Sequence, residues 1–68
     1  MILPIGSTIR ELRREREITQ GELAKVLGVT TQAVSQWERG NAYPDLELLP
    51  VIAAYFGVSV DRLLGMDE

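Results

Sequence analysis

Between Thr31 and Arg39, hydroxyl, amide and guanidinium side chains recur at a spacing that places them on one side of a helix. At about 100° per residue they form a single polar stripe, which consists of Thr31, Gln32, Ser35, Gln36 and Arg39. Val34 and Trp37 fall on the opposite side, where they can pack against a core. The stripe therefore offers hydrogen-bond donors and acceptors to a partner, backed by an apolar anchor.

Catalytic chemistry is disfavoured by the residue types present. The chain has no histidine and no cysteine, so the commonest general base, thiol nucleophiles and the usual zinc ligands are missing. Asp45 with Glu47, and Asp67 with Glu68, are neighbouring carboxylates that fit helix caps or a tail, and Ser35 has no base in view. The sequence contains neither a P-loop nor a G-x-G-x-x-G motif. We expect no enzyme, and no cofactor or metal ion.

Two short helices joined by a tight turn are predicted to position the polar stripe. Thr19 can cap the first of them, and Glu22, three residues on, can complete a capping box. Gly28 stands where a left-handed residue would end that helix, and Thr30 can cap the next. This arrangement is typical of a helix-turn-helix, whose second helix lies in the DNA major groove.

Size and charge limit the alternatives. Sixty-eight residues make one small domain with one core, and a signal peptide or a long apolar span is absent, so we expect a cytoplasmic protein. The net charge is −3, although nucleic-acid binders are usually basic. The charge is unevenly distributed: residues 1–40 carry six basic and five acidic groups, whereas residues 41–68 carry one basic and five acidic groups.

The N-terminal part predicts an apolar arm, residues 1–6, and then a helix that Ser7 caps and that runs to about Glu17. The charged run RELRRERE in this helix mixes both signs, which is more typical of a solvated helix face than of a nucleic-acid patch. Arg10 and Arg14 point away from the apolar side.

Two helices are predicted after the polar stripe. Asp45 is a candidate N-cap for the first of them. Because proline is costly deeper in a helix, Pro50 predicts either a late start near Leu48 or an irregular first turn. Gly57 ends this helix, and Ser59 caps a last short one. The predicted domain spans residues 7–65, and residues 66–68 form a tail that could lead to a further domain.

Several motifs together resemble one family: the segment TQGELAKVLGVTTQAVSQWERG, the P-x-L-x-x-L after it, and FGVSVDRLL. They are similar to the XRE, or Cro-like phage-repressor, class of helix-turn-helix domains over about residues 7–65. The resemblance implies an all-α, compact five-helix bundle of the lambda-repressor-like DNA-binding type, with its helix-turn-helix at the second and third helices. It also implies a sequence-specific DNA-binding domain of a transcriptional regulator, with a recognition helix at about residues 31–39.

The resemblance further implies a role for each polar position. Base-edge contacts are expected from Thr31, Gln32 and Gln36, since glutamine can pair bidentately with adenine and a threonine methyl can touch the thymine methyl. Contacts to the DNA backbone, which position the protein, are expected from Gln20, Thr30, Ser35, Arg39 and Asn41. For two of these an alternative stays open: Thr30 as a helix cap only, and Ser35 as a solvated hydroxyl.

Glu38 has a different expected role. In the family, the Glu of the W-E-R-G stretch commonly pairs with an arginine of the first helix, and Arg13 matches that arginine here. We expect Arg13 and Glu38 to form a structural ion pair that does not contact DNA. Trp37, a lone aromatic opposite the polar stripe, is expected in the core.

Three functional hypotheses follow. The first is a weak homodimer that binds double-stranded DNA at a two-fold symmetric operator with half-sites ~34 Å apart, and the last helix with Ile2, Leu3 and Ile5 is one possible dimer surface. The second is a protein-interaction module on the same fold, antitoxin-like or adaptor-like. The third, compatible with the first, is the DNA-binding part of a longer chain. We expect no membrane association, and no small-molecule ligand in a bundle this small.

Overall fold

The computed structural model describes residues 3–66. Met1, Ile2, Asp67 and Glu68, which belong to the predicted arm and tail, lie outside the described residues. Within that range the secondary structure is entirely helical, with five helices: α1 (Ile5–Glu15), α2 (Gln20–Leu27), α3 (Thr31–Glu38), α4 (Leu48–Phe56) and α5 (Val60–Leu63). The prediction of an all-α five-helix domain is confirmed.

Helix α1 begins earlier than the sequence predicts. Pro4 precedes the first helical residue, Ile5, and Ser7 is not the N-cap: its hydroxyl lies inside the first turn and donates to the Pro4 carbonyl (3.1 Å). Ile5 and Gly6, assigned to the arm from sequence, are both buried. The burial of Ile5 outweighs the local capping preference of Ser7, because an isoleucine side chain contributes about 1.5–3 kcal/mol when fully buried.

The turn between α2 and α3 follows the local signals closely. Thr19 and Glu22 form the capping box, with Glu22 N–H donating to Thr19 Oγ1 (3.0 Å) and Thr19 N–H donating to Glu22 Oε1 (2.9 Å). Gly28 ends α2 with a φ of +73°, a conformation that glycine adopts without strain. Thr30 then caps α3 by accepting from the Ala33 N–H (3.0 Å).

Helix α4 starts at Leu48, which places Pro50 in its first turn as predicted. Asp45 is not its N-cap: Glu47 precedes the helix, and no side chain caps it. The backbone carbonyl of Asp45 instead accepts from the Leu48 N–H (2.9 Å). A preceding turn thus supplies the acceptor that a capping side chain would otherwise provide.

After α4 the chain again matches the prediction. Gly57 ends α4 with a φ of +68°, and the Ser59 hydroxyl caps α5 by accepting from the Arg62 N–H (3.1 Å).

Each helix contributes one side chain to the centre of the core. These five residues are Ile9, Leu23, Val34, Ile52 and Leu63, all at 0% exposure. Trp37 is 5% exposed and belongs to the same core, so it is not available as a stacking surface. The core holds α3 by its inner side and thereby fixes which side faces outward.

No helix in the part of the chain described, residues 3–66, is both long enough and apolar enough to span a membrane.

Candidate nucleic-acid interface

The outer side of α3 is accessible along its length. Thr31 and Gln32 are exposed, while Ser35 and Gln36 are half-buried. Arg39, the residue that ends the helix, is also exposed. Neither glutamine is in the core, so both side chains are accessible from the outer side of α3.

This outward stripe depends on close packing behind it. Val34 and Trp37 bury the inner side of α3, and α3 packs against both α2 and α1. Ala24 of α2 is 2% exposed, and its small side chain allows the two helices of the motif to approach. The polar stripe therefore stands on a rigid support, as a site that must hold side chains in position requires.

The flanking polar residues lie at both ends of α3. Thr30 Oγ1 accepts the capping hydrogen bond, which leaves its O–H free to donate to a phosphate. Asn41 is exposed just beyond α3, and its N–H donates to the Gln36 carbonyl (3.0 Å). The two alternatives for Thr30, cap and backbone contact, are thus compatible with each other.

Gln20 occupies the first position of α2 and is half-buried. Its Nε2 donates to Glu38 Oε1 (3.1 Å), which ties the start of α2 to the end of α3. One of the two N–H groups of the Gln20 side-chain amide is therefore used inside the protein. The other N–H, and the backbone N–H groups at the start of the helix, remain available to donate to a phosphate.

Arg13 and Glu38 form a bidentate ion pair. Arg13 Nε donates to Glu38 Oε2 (2.8 Å) and Nη2 donates to Oε1 (3.0 Å), and the two side chains are 14% and 4% exposed. Arg13 Nη1 also donates to the Ile18 carbonyl (2.9 Å). The pair connects α1, the start of α2 and the end of α3, which is the geometry of a structural link.

The surroundings of the pair keep both groups ionised. Burial raises the pKa of Glu38, but hydrogen bonds from Arg13 and Gln20, with the charges of Arg13 and Arg10, outweigh it and leave the pKa lowered. The hydrogen bond to Glu38 raises the pKa of Arg13, against a smaller opposing effect of burial. At neutral pH Glu38 is therefore compensated within the domain and repels an approaching phosphate less.

Two residues that the sequence predicts on a solvated helix face lie beside this site. Arg10 and Arg14 of α1 border a polar concavity of about 330 Å³ that Gln20, Ser35 and Arg39 also line. Arg10 and Arg14 are four residues apart, about one helical turn, and this spacing was the sequence signal that they share a side of α1. The acidic residues within the same run made this signal hard to distinguish from a solvated helix face.

Metal binding finds no support in the described residues. Among residues 3–66, no three acidic side chains cluster closely enough to hold a metal ion.

These features define a helix-turn-helix domain with an outward polar helix, and comparison with known proteins agrees. The helix-turn-helix family model matches residues 9–63, and the chain belongs to this family, in its XRE or Cro-like class. It is 40% identical over 66 residues to the transcriptional activator BcrR of Enterococcus faecalis, an alignment that covers 97% of this chain and 32% of BcrR.

Phage repressors are similar at the levels of sequence and structure. Repressor protein C2 of Salmonella phage P22 is 38% identical over 63 residues, which cover 93% of this chain and 29% of the repressor. The crystal structure of the P22 c2 repressor with synthetic operator 9T superposes with a TM-score of 0.85, covering 93% of this chain and 96% of that one. The chain thus spans about a third of the length of these two curated relatives.

Proposed function

We propose that this chain is the sequence-specific DNA-binding domain of a transcriptional regulator, with α3 as the recognition helix in the major groove. The observation that carries the proposal is the exposed stripe of α3, held outward by the buried Val34 and Trp37. The structural similarity to a repressor bound to its operator supports it. We propose no catalytic activity, since the two relatives described above are a transcriptional activator and a phage repressor.

In this proposal, Thr31, Gln32 and Gln36 contact base edges. Gln32 is exposed and Gln36 half-buried on one side of α3, and each amide can donate to and accept from a single adenine. The DNA backbone is held by Gln20, Thr30, Ser35, Arg39 and Asn41. Ser35 and Arg39 belong to the stripe itself, Thr30 and Asn41 lie at the two ends of α3, and Gln20 begins α2. Phosphate contacts of this kind set the orientation of a recognition helix.

A second copy of the chain is proposed as the partner on DNA. Leu46, in the connection between α3 and α4, is 80% exposed, and nearby Tyr43 is 50% exposed. They border an apolar concavity of about 420 Å³ that Leu3 and Leu64 also line. Contiguous exposed apolar surface of this kind marks interaction sites. Ile5, by contrast, is only 3% exposed, so it has little surface left to contribute to a dimer.

An isologous contact through this surface would give a two-fold symmetric dimer. Such a dimer matches the two-fold symmetric operator proposed for the domain, with half-sites ~34 Å apart. Leu46→Ser is expected to weaken self-association in sedimentation equilibrium. Val26→Ser is the control, since Val26 of α2 is also an exposed apolar side chain (52%) but does not border the concavity.

The function is tested by selecting bound sequences from a random DNA pool with this domain. We expect a preferred sequence, and a loss of about 1–3 kcal/mol, or roughly 5- to 150-fold in affinity, for Gln32→Ala or Gln36→Ala on that sequence. Lys25→Ala, an exposed change at the far end of α2, is the control. The absence of any preferred DNA at low salt would contradict the proposal and favour a protein-interaction role.

A further inference from the structure

Arg10 and Arg14, here called the α1 arginine pair, stand one helical turn apart on α1 and are both exposed. They line the polar concavity described above, together with Gln20 of α2 and with Ser35 and Arg39 at the end of α3. Residues from three helices therefore meet at one place, which includes two members of the polar stripe of α3.

The charge at this concavity is more positive than the composition suggests. Of the groups that line it, Glu38 is the acidic one, and Arg13 already pairs with it at 2.8 Å. Within residues 3–66, neither member of the α1 arginine pair forms an ion pair closer than 4.0 Å. Arg10 also lies near enough to Glu38 for its charge to help lower the pKa of that carboxyl group.

With Arg39 the α1 arginine pair contributes three positive charges that no carboxylate neutralises by direct contact within the described part of the chain. Guanidinium groups bind phosphate oxygens through paired hydrogen bonds. The hydroxyl of Ser35 and the amide group of Gln20, at the start of α2, supply neutral polar partners in the same concavity. This combination suits a phosphodiester oxygen, which is anionic and accepts hydrogen bonds from several directions.

We propose that the α1 arginine pair binds the DNA backbone beside the bases that α3 contacts, each arginine holding one phosphate. This inference rests on the proposed function and adds two residues of α1 to the DNA-binding surface. It also accounts for how a domain with a net charge of −3 can attract DNA: the local field at the site, and not the sum over the chain, acts on a phosphate within the screening length of about 8–10 Å.

The test measures the salt dependence of binding, because each phosphate contact contributes a slope of about −0.9 to log K against log [salt]. Arg10→Gln and Arg14→Gln, made separately, are titrated on the selected DNA and on a scrambled duplex between 50 and 200 mM salt. Each is expected to flatten the slope by about 0.9 and to weaken binding roughly eightfold at 100 mM salt on both duplexes. The preference for the selected sequence should stay within twofold of the parent protein.

The matched control is Arg62→Gln, which removes one positive charge from the exposed side of α5, outside the concavity. It should leave the slope unchanged, and circular dichroism melting of all three variants should match the parent. If Arg62→Gln flattened the slope of log K against log [salt] by the same amount, the effect would be explained by the net charge of the domain alone. That result would overturn the inference. A changed sequence preference in Arg10→Gln or Arg14→Gln would place these residues at base edges and also overturn it.

The DNA-binding function of the domain and the role of the α1 arginine pair can fail separately. If the parent protein selects a DNA sequence but both arginine variants keep its salt slope, the proposed function stands and this inference falls. If the parent protein binds no DNA at low salt, both fall. If Arg10→Gln and Arg14→Gln weakened binding to an acidic protein but left DNA binding unchanged, the two arginines would belong to a protein-binding surface. That result would also overturn the inference.

Discussion

The carbonyl group of Trp37 lies so close to the Cα of Gly6 that a Cβ atom at residue 6 would overlap the carbonyl oxygen. The same Cβ would lie 2.7 Å from the Trp37 carbonyl carbon and 3.1 Å from the Cα of Glu38. All of these atoms belong to backbone, so none can rotate away. Helix α1 therefore approaches the end of α3 at a distance that only glycine permits.

This contact predicts that Gly6→Ala destabilises the domain, because α1 must move away from α3 to make room. We expect the free energy of unfolding to fall by about 1–3 kcal/mol, measured by urea denaturation. Gly21→Ala is the matched control, since its Cβ would lie 3.6 Å from Thr31 Oγ1 in ordinary contact. That change should stabilise α2 by up to about 1 kcal/mol, so equal stabilities of the two variants would contradict the packing described.

The ion pair between Arg13 and Glu38 predicts a large effect of removing one partner. Glu38→Ala leaves the guanidinium of Arg13, only 14% exposed, without its acceptor, and should cost roughly 3–5 kcal/mol of stability. Arg13→Ala should cost a similar amount, because Glu38 is then left buried without its cation. In a double-mutant cycle by thermal melting, the double variant should lose clearly less than the sum of the two. Additive losses would show that the pair has no direct coupling.

Glu38 also predicts a specific dependence of stability on pH. Its pKa is lowered in the folded domain, so the unfolded chain binds more protons there and stability rises with pH. The stabilisation of the folded domain by ionised Glu38 is complete above the ordinary glutamate pKa of about 4.3. It is lost as the pH falls through the lowered pKa that Glu38 has in the folded domain. The difference in unfolding free energy between the parent and Glu38→Gln should therefore shrink below about pH 4.3. A difference that stays constant down to pH 2.5 would contradict this.

Arg16 joins two helices that lie far apart in the chain. Its Nη2 donates to the Phe56 carbonyl (2.6 Å) at the end of α4, and its guanidinium carbon lies 5.7 Å from the centre of the Phe56 ring. Arg16→Ala should lower stability by about 1 kcal/mol, since the Phe56 carbonyl loses a charged donor and the C-terminus of α4 loses a nearby cation. Arg14→Ala, an exposed change on the same helix, should lower it by less than half as much, in the same melting experiment.

Glu17 adopts a left-handed conformation, with a φ of +56°, although it is not glycine. This conformation costs a residue with a Cβ about 1–2 kcal/mol. Replacement by glycine removes that cost, but the greater freedom of glycine in the unfolded chain offsets roughly 0.4–1 kcal/mol of the gain. Glu17→Gly is therefore expected to stabilise the domain by about 0.5 kcal/mol in urea titration. Gly57→Ala, at a φ of +68° with its nearest neighbour 3.8 Å from the new Cβ, should have the opposite sign. The same sign in both would contradict the argument from backbone strain.

The sequence predicted the parts of this fold that depend on neighbouring residues. The caps at Thr19, Thr30 and Ser59 and the left-handed glycines Gly28 and Gly57 are all confirmed, because each of these interactions closes within about five residues. Ser7 and Asp45 were wrong as caps, although both have a suitable residue type. At these two helix starts, the burial of Ile5 and the turn before Leu48 decided where the helix begins.

The helical spacing of α3 by itself determined that Thr31, Gln32 and Gln36 share one side while Val34 and Trp37 share the other, and their contacts with DNA stay a prediction. Only the tertiary structure decided that Arg10 and Arg14 meet Arg39 at one concavity, and that Gly6 must lack a side chain against Trp37. The physical reason is that spacing along a chain fixes directions around one helix axis. How two axes cross is set by the packing of the whole core, which brings together residues up to 40 positions apart, as with Arg16 and Phe56.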